Sequence, residues 1–316
     1  MKIGYLILAH KNPEQVLRLV SRLVTSESYF FIHIDKSVSD TPFKYVLKGI
    51  NHVYFLECDS RSDGVWGGFG IVQASINLMR HALSQVPNGY IILLSGQDYP
   101  LRSGQRIQSF FEQSSLDAYV FAESIPTSFW NMGGLDRLNL YRLNLSADRF
   151  DFVMLPSILE KSFYSKRVLQ KVYAILRRGK KKTLFKILRK RRHPNDIKPF
   201  GGSQWWVISS NLARQILNFI DDHPAFLKYH QDTLLADEIF IQTIIHHIIK
   251  NNNTLKIAPS LTYTNWERKH VPLPVTFEHS DFEELKEASK THLFARKFDI
   301  DRDTKILDRI DTELLS

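Results

Sequence analysis

The chain has one cysteine, Cys58, in 316 residues. A single thiol excludes an internal disulfide framework and suits a reducing compartment. No run of about 18 apolar residues occurs, so nothing reads as a membrane-spanning helix. The opening stretch from Met1 to His10 is apolar for too short a length to be a secretory signal and lacks a small-residue cleavage site; it reads as a buried first strand. Internal repeats and low-complexity segments are absent. Arg61–Gly70 holds four glycines and two aromatics, but has neither the spacing of a dinucleotide fingerprint nor that of a phosphate-binding loop. The last absence is local. Between Lys161 and Arg192 there is no Asp or Glu, against 14 Lys or Arg. The remaining 28 basic residues face 33 acidic ones, a balance of −5, so one segment makes the whole protein basic at +9.

Hydrophobic residues make up 43% of the chain, enough to bury a large core. Ile3–Ala9, Tyr29–Ile34, Val53–Leu56 and Tyr90–Leu94 read as strands, with Ala118–Ala122 a later one. Helical patterns begin at Asn12-Pro13-Glu14 and cover Ile71–Leu83, Ser103–Glu112, Asn211–Ile220, Asp237–Lys250 and Phe282–Lys290. Strands alternating with helices predict an α/β fold with a mostly parallel sheet. Ligands of such sheets bind beyond the carboxyl ends of the strands. His10, Lys11, Asp35, Ser95 and Asp98 all fall at those ends.

Three further stretches carry candidate chemistry. Phe200-Gly-Gly-Ser-Gln-Trp-Trp206 has two glycines that let the backbone pass something bulky and two tryptophans. These are either a platform for a sugar ring or a core pair. Asp237-Glu238 precedes an apolar run, where a carboxylate can be held rigidly near a helix N-terminus. Phe294-Ala-Arg-Lys-Phe298 pins a basic pair between aromatics. It reads either as a diphosphate clamp or as surface charges over buried phenylalanines. Trp66, in the glycine-rich loop, is open to stacking on a base or to core packing.

The basic segment (155–195) predicts two amphipathic helices separated by Gly179, with Leu169, Val172, Ile175, Leu176, Leu184, Ile187 and Leu188 at helical spacing. Three occupants of this surface stand: an anionic membrane, the protein's own body, and nucleic acid. The last is disfavoured by the lack of any nucleic-acid motif.

Taken in order, Ala9-His-Lys11, Phe31-Ile-His-Ile-Asp35-Lys-Ser37, Val72-Gln-Ala74, Leu94-Ser-Gly-Gln-Asp-Tyr-Pro-Leu-Arg102, Gly202-Ser-Gln-Trp-Trp206, Asp237-Glu238 with Thr243, Asn265-Trp266 and Leu293-Phe-Ala-Arg-Lys-Phe-Asp299 resemble the core-2/I-branching β-1,6-N-acetylglucosaminyltransferase and peptide-O-xylosyltransferase family. The resemblance covers nearly the whole chain apart from the basic segment. It implies a single GT-A-type catalytic domain over 1–316. Residues 1–125 would be its nucleotide-binding half and 126–316 its acceptor-side half. It also implies a UDP-sugar donor (N-acetylglucosamine first, xylose second), a glycan or lipid-linked glycan acceptor, inversion, and no metal or other cofactor.

By the same resemblance, Glu238 is the general base, Lys297 with Arg296 meets the diphosphate, and Asp35 and Trp66 meet the uridine, with Ile7 beside them. Asp98 faces the donor sugar. Gln204 with Trp205 or Trp206 contacts sugar, and Asp136, next to Arg137, contacts acceptor. The chain departs from the family at three places. Ser95-Gly-Gln-Asp98 carries one carboxylate where metal-dependent relatives of the fold carry an Asp-X-Asp. Gln204 replaces the aspartate of the xylosyltransferases. Thr262 stands where the branching enzymes have a second diphosphate arginine, leaving Arg296 or Arg268 to compensate. With no anchor helix or disulfides, the expected setting is the cytoplasm, at the inner face of the membrane, held there by 161–192. The rival class is a non-catalytic membrane- or nucleic-acid-binding protein on a degenerate transferase body.

Overall fold

A computed structural model describes residues 1–146, 148–194 and 196–316. Its first third alternates strand and crossover helix. β1 (Lys2–Ala9), α1 (Pro13–Leu23), β2 (Ser28–Ile34), α2 (Thr41–Val46), β3 (Val53–Phe55), α3 (Gly70–Gln85) and β4 (Gly89–Ser95) follow one another. Then come β5 (Asp98–Pro100), α4 (Gly104–Glu112), β6 (Ala118–Tyr119), β7 (Ala122–Ser124), α5 (Leu135–Asn139), and the hairpin β8 (Tyr141–Asn144) and β9 (Phe152–Leu155). The basic segment contributes α6 (Lys166–Arg177). It is followed by β10 (Phe200–Gly202), β11 (Val207–Ser209), α7 (Ser210–Asp222), α8 (Pro224–His230) and α9 (Phe240–Asn251). The chain ends with β12 (Ile257–Ala258), β13 (Thr262–Thr264), α10 (Phe282–Ala288), β14 (Phe294–Arg296) and α11 (Lys305–Glu313).

Among the described residues the main sheet runs β12-β6-β11-β4-β1-β2-β3. Its pairings are parallel except at β11, which lies antiparallel between β4 and β6. This is the α/β architecture with a mostly parallel sheet that the alternation of strands and helices predicts. Side chains of a strand alternate between faces, and β1 feeds both layers of core. Leu6 packs with Phe31, Leu93, Trp206 and Phe240 on one side. Tyr5 and Ile7 pack with Val16, Phe30 and Leu94 on the other. Ile7 is therefore fully buried core, not a nucleotide contact. Trp206 is buried in the first cluster, and Trp205 with it. Of the two readings of this pair, the sugar platform gives way to the core pair, because the tryptophans lead directly into β11, an interior strand, and the Leu93 amide of β4 donates to the Trp206 carbonyl at 3.1 Å.

The pattern predicts one strand over Ala118–Ala122. The structure splits it: β6 pairs within the main sheet, and β7 leaves it to pair with β10. The pattern also starts a helix at Asp237, but α9 starts at Phe240. The acidic pair sits one step earlier, in a tight turn over Ala236–Glu238 whose amides bond three residues back. No helix among the described residues is long and apolar enough to cross a membrane.

What the two glycines of the Phe200 stretch clear is now visible. A Cβ on Gly202 would meet the Phe121 carbonyl oxygen at 2.0 Å, and one on Gly201 would meet the Trp130 ring at 2.2 Å. The first lets β10 lie against the chain entering β7, and the second seats an indole. Gly201→Ala is expected to destabilise the fold by about 1–3 kcal/mol through overpacking, read as a lower midpoint in urea at unchanged slope.

The basic segment is half as predicted. α6 forms and Gly179, at φ +70°, ends it. The second half, Lys181–Leu188, winds as a tighter helix of about three residues per turn. Val168, Val172 and Ile175 of α6 pack on the β8–β9 hairpin with Leu143, Leu155 and Ile187. The body of the protein therefore takes one stripe of α6. A second stripe, Leu169, Tyr173 and Leu176, faces water.

Candidate active site

Two stretches far apart in sequence meet at one buried amide. Gln242 of α9 donates from Nε2 to the Ser203 carbonyl at 2.5 Å and to the Asp237 carbonyl at 3.2 Å. Thr243 beside it exchanges hydrogen bonds with the Phe200 backbone at 3.0 and 3.1 Å. The Gly-Ser-Gln-Trp-Trp turn and the acidic turn are thus fixed to each other, with half-buried Gln204 on the former. The glycine-rich loop joins them where the Leu235 amide donates to the Gly67 carbonyl at 2.9 Å.

Glu238 accepts a hydrogen bond from Arg137 at 2.6 Å, and the Arg137 guanidinium lies 3.7 Å from the centre of the Trp130 ring. Burial raises the Glu238 carboxyl above the ordinary glutamate value, with Arg137 opposing. Asp237 is raised too, by burial and then by the charge of Glu238. Its Oδ1 is buried with no hydrogen-bond partner among the described residues, as is Oδ1 of Asp136. An acid raised on folding has a definite sign. The charged form is less favoured in the folded chain than in the unfolded one, so the penalty grows as pH rises through the window above the unfolded value and is absent below it. Asp237→Asn is therefore expected to raise Tm by about 3 °C or more at pH 8 and to change it little at pH 4, read by calorimetry. Strain of this kind concentrates at functional sites.

The second half of the site is cationic. In the small sheet β13-β14-β5, the register sets Arg296 opposite Asp98. Arg296 donates to Asp98 and to the Ser95 hydroxyl, both at 2.8 Å, and its guanidinium covers Trp205 at 4.2 Å. Asp98 is wholly buried and also accepts from the Ser95 amide at 2.6 Å. It cannot face a donor sugar as expected, because both of its oxygens are committed to Ser95 and Arg296. Arg268 is corrected as well. Asp281 and Glu284 hold it at 2.8 and 2.9 Å, so its charge is neutralised locally.

Lys297 is different. Burial, then the charges of Arg296, Lys11 and Arg149, pull its ammonium below the ordinary lysine value. Lys11 is paired with Asp299 at 2.5 Å. Among the described residues neither Lys297 nor Arg149 forms an ion pair with a carboxylate. Crowded cations with unspent charge are what an anion would relieve. The segment is anchored from the other end of the chain. Gln15 donates to the carbonyls of Gly96 and Phe298 at 2.9 and 3.1 Å and accepts from the Ile300 amide at 3.0 Å.

Beyond the ends of β1 and β2, Asp35 accepts from the Ser37 amide and hydroxyl at 2.8 and 2.6 Å, and from the Gly64 amide at 2.6 Å. Burial would raise its carboxyl, but these hydrogen bonds outweigh it and hold the value low. Trp66 is half-buried against Phe150 and Phe152, at 5.5 and 6.3 Å, with Arg149 over its ring at 5.1 Å. The structure thus brings together Asp35, Trp66, Asp136, Gln204, Asp237, Glu238, Arg296 and Lys297 around the strand ends. Ile7, Trp205, Trp206 and Asp98 are buried, and Arg268 is spent on Asp281 and Glu284. Sequence reasoning left out Arg149 and Trp130. Neither lies in a spaced motif, although Phe129-Trp130 is a conspicuous exposed-loop aromatic pair.

Fold and site together define an α/β protein whose mostly parallel sheet carries a carboxylate turn and a cation cluster beyond its strand ends. The chain belongs to a particular branch of that class: the family model described as "Core-2/I-Branching enzyme" matches residues 3–289. Xylosyltransferase 2 of Homo sapiens is 24% identical over 342 residues, which cover 99% of this chain and 34% of that protein. Xylosyltransferase 1 of Rattus norvegicus is 23% identical over 332 residues, covering 99% of this chain and 35% of that protein. The chain spans about one third of the length of these relatives.

Proposed function

We propose that this protein transfers a sugar from a UDP-sugar to a hydroxyl of a glycan acceptor, with inversion and without a metal. The observation that carries the reading is a carboxylate turn tied by Gln242 to the Gly-Ser-Gln-Trp-Trp stretch, whose Trp205 lies under the Arg296 guanidinium at 4.2 Å. In the proposed step the acceptor oxygen attacks the anomeric carbon as Glu238 takes its proton. The bond from that carbon to the β-phosphate oxygen breaks, and UDP leaves with the electron pair. Lys297, with Arg149 near it, stabilises the charge that develops. Arg296 serves from a fixed position, its orientation set by Asp98. Asp35 and Trp66 hold the uridine, Gln204 the donor sugar and Asp136 the acceptor.

N-acetylglucosamine is the proposed donor sugar, since Glu238 is present and Gln204 cannot act as base. The names of the relatives favour xylose as the second reading. Release of UDP from each UDP-sugar in EDTA tests both readings: one active sugar names the donor. Release that needs added manganese overturns the metal-free step, and no release with any sugar overturns the transferase.

We further assign the outward stripe of α6 to an anionic membrane surface on the cytoplasmic side, where a lipid-linked acceptor would lie. Tyr164, Leu169, Tyr173, Leu176, Phe185 and Leu188 are all exposed among the basic residues. Apolar side chains in a cationic field match an anionic bilayer interface. Tyr173→Glu with Phe185→Glu is expected to lower co-sedimentation with vesicles containing 30% (roughly, a cell-like fraction) phosphatidylserine by about tenfold. Unchanged binding would refute the assignment.

A further inference from the structure

The aromatic platform that the sequence offered at Trp205-Trp206 is built elsewhere. Phe121 and Phe129 are 44% and 43% exposed, with ring centres 5.5 Å apart. Phe129 meets Trp130 edge-on at 5.1 Å. Exposed Met132 and Leu135 extend this surface. It is not a loose loop. Met132, Gly133 and Gly134 all take positive φ, 50°, 65° and 83°, a sharp reversal that returns the chain toward Trp130. A Cβ on Gly134 or Gly201 would come within 2.5 Å of the Trp130 ring, so two glycines from different elements seat the indole.

The shelf leads to the candidate base. The guanidinium that lies 3.7 Å from the Trp130 ring centre is the one that bonds Glu238 at 2.6 Å. Phe121 borders the same turn, because its carbonyl accepts from the Ser203 amide at 2.9 Å and Gln242 ties Ser203 to Asp237; a molecule resting on Phe121 and Phe129 therefore reaches the acidic turn. A general base must have its proton donor alongside it. A neutral sugar ring has a flat C–H face on one side and hydroxyls around its rim. It meets both demands at once, where an acyl tail or an apolar protein face meets only the first.

We propose that Phe121 and Phe129, backed by Trp130, form the acceptor subsite and take the C–H face of a pyranoside whose reacting hydroxyl points to Glu238. This rests on the transferase reading above and gives the acceptor a place in it. The test reads binding rather than turnover, so it is separate from the UDP-release screen. Methyl β-D-galactopyranoside, methyl β-D-xylopyranoside and methyl N-acetyl-β-D-glucosaminide are titrated into the whole protein with UDP present, by calorimetry. At least one is expected to bind. Its affinity is expected to fall about five- to tenfold in Phe129→Ala and again in Phe121→Ala, with UDP affinity kept as the check that each variant is folded. The proposal is overturned if none of the three binds, or if affinity is unchanged in both variants. A wild-type dimer that both variants dissociate would also overturn it, since the shelf would then be an interface between copies.

Discussion

Glu238→Gln is expected to lower sugar transfer by about 10²–10⁴-fold, the range for loss of a general base, while UDP affinity changes little. The substitution keeps the size of the side chain and its bond from Arg137, and removes the proton-accepting charge. In the wild type the same group sets the acid limb of the pH profile. Glu238 must be ionised to act, and burial raises its value. Activity is therefore expected to fall on acidification sooner than an ordinary glutamate would allow. Arg137 opposes that rise, so Arg137→Gln is expected to push the acid limb toward higher pH. Steady-state rates of UDP release between pH 5 and 9 (roughly the range that brackets a raised carboxyl) read both effects. Transfer that survives Glu238→Gln would move the base elsewhere in the turn, with Asp237 the next carboxylate.

Lys297→Met is expected to cost about 10²–10³-fold in kcat, comparable to removing one preorganised donor from a developing oxyanion. The aliphatic stem is kept and the charge removed. The effect should fall on kcat more than on the KM for donor, because charge on the β-phosphate grows as the bond breaks. Arg296→Met has a different expected signature. It strips Asp98 of its counter-ion in a buried site, and stranding a buried charge costs about 3–5 kcal/mol. Loss of stability should therefore accompany loss of activity there, whereas Lys297→Met should melt near the wild type. Equal melting of the two variants would show that Arg296 and Lys297 share one role.

The sheet was legible because its central strands are continuous apolar runs, and such runs are long only where both faces are covered. The order of the motifs was legible for the same reason: they fall at strand ends, which this topology gathers on one side. What burial did to individual residues was not legible. Trp205 and Trp206 have the composition of a sugar platform, but they lead straight into β11, an interior strand, and only the sheet order reveals that. Asp98 and Arg296 are 198 residues apart. Nothing local says that one consumes the other, and the β5–β14 register decides it. Arg268 looked available because Asp281 and Glu284 sit in a later helix that folds back on it. Gly201 shows the opposite case. Its need for clearance was readable, and only the bulky partner, Trp130, had to come from the structure.

The anchoring of Phe298 and Ile300 by Gln15 has a consequence for the order in which the chain becomes competent. Chains emerge from the ribosome at about 5–20 residues per second, and β1, β2 and β4 are complete within the first hundred residues (roughly a domain's worth). Lys297 follows long afterwards, and its segment is held only by docking on a helix made near the start. A chain made only as far as β4 has the central strands but not the segment that carries Lys297. The cation cluster of the candidate site is thus assembled between one of the first helices to be made and one of the last strands.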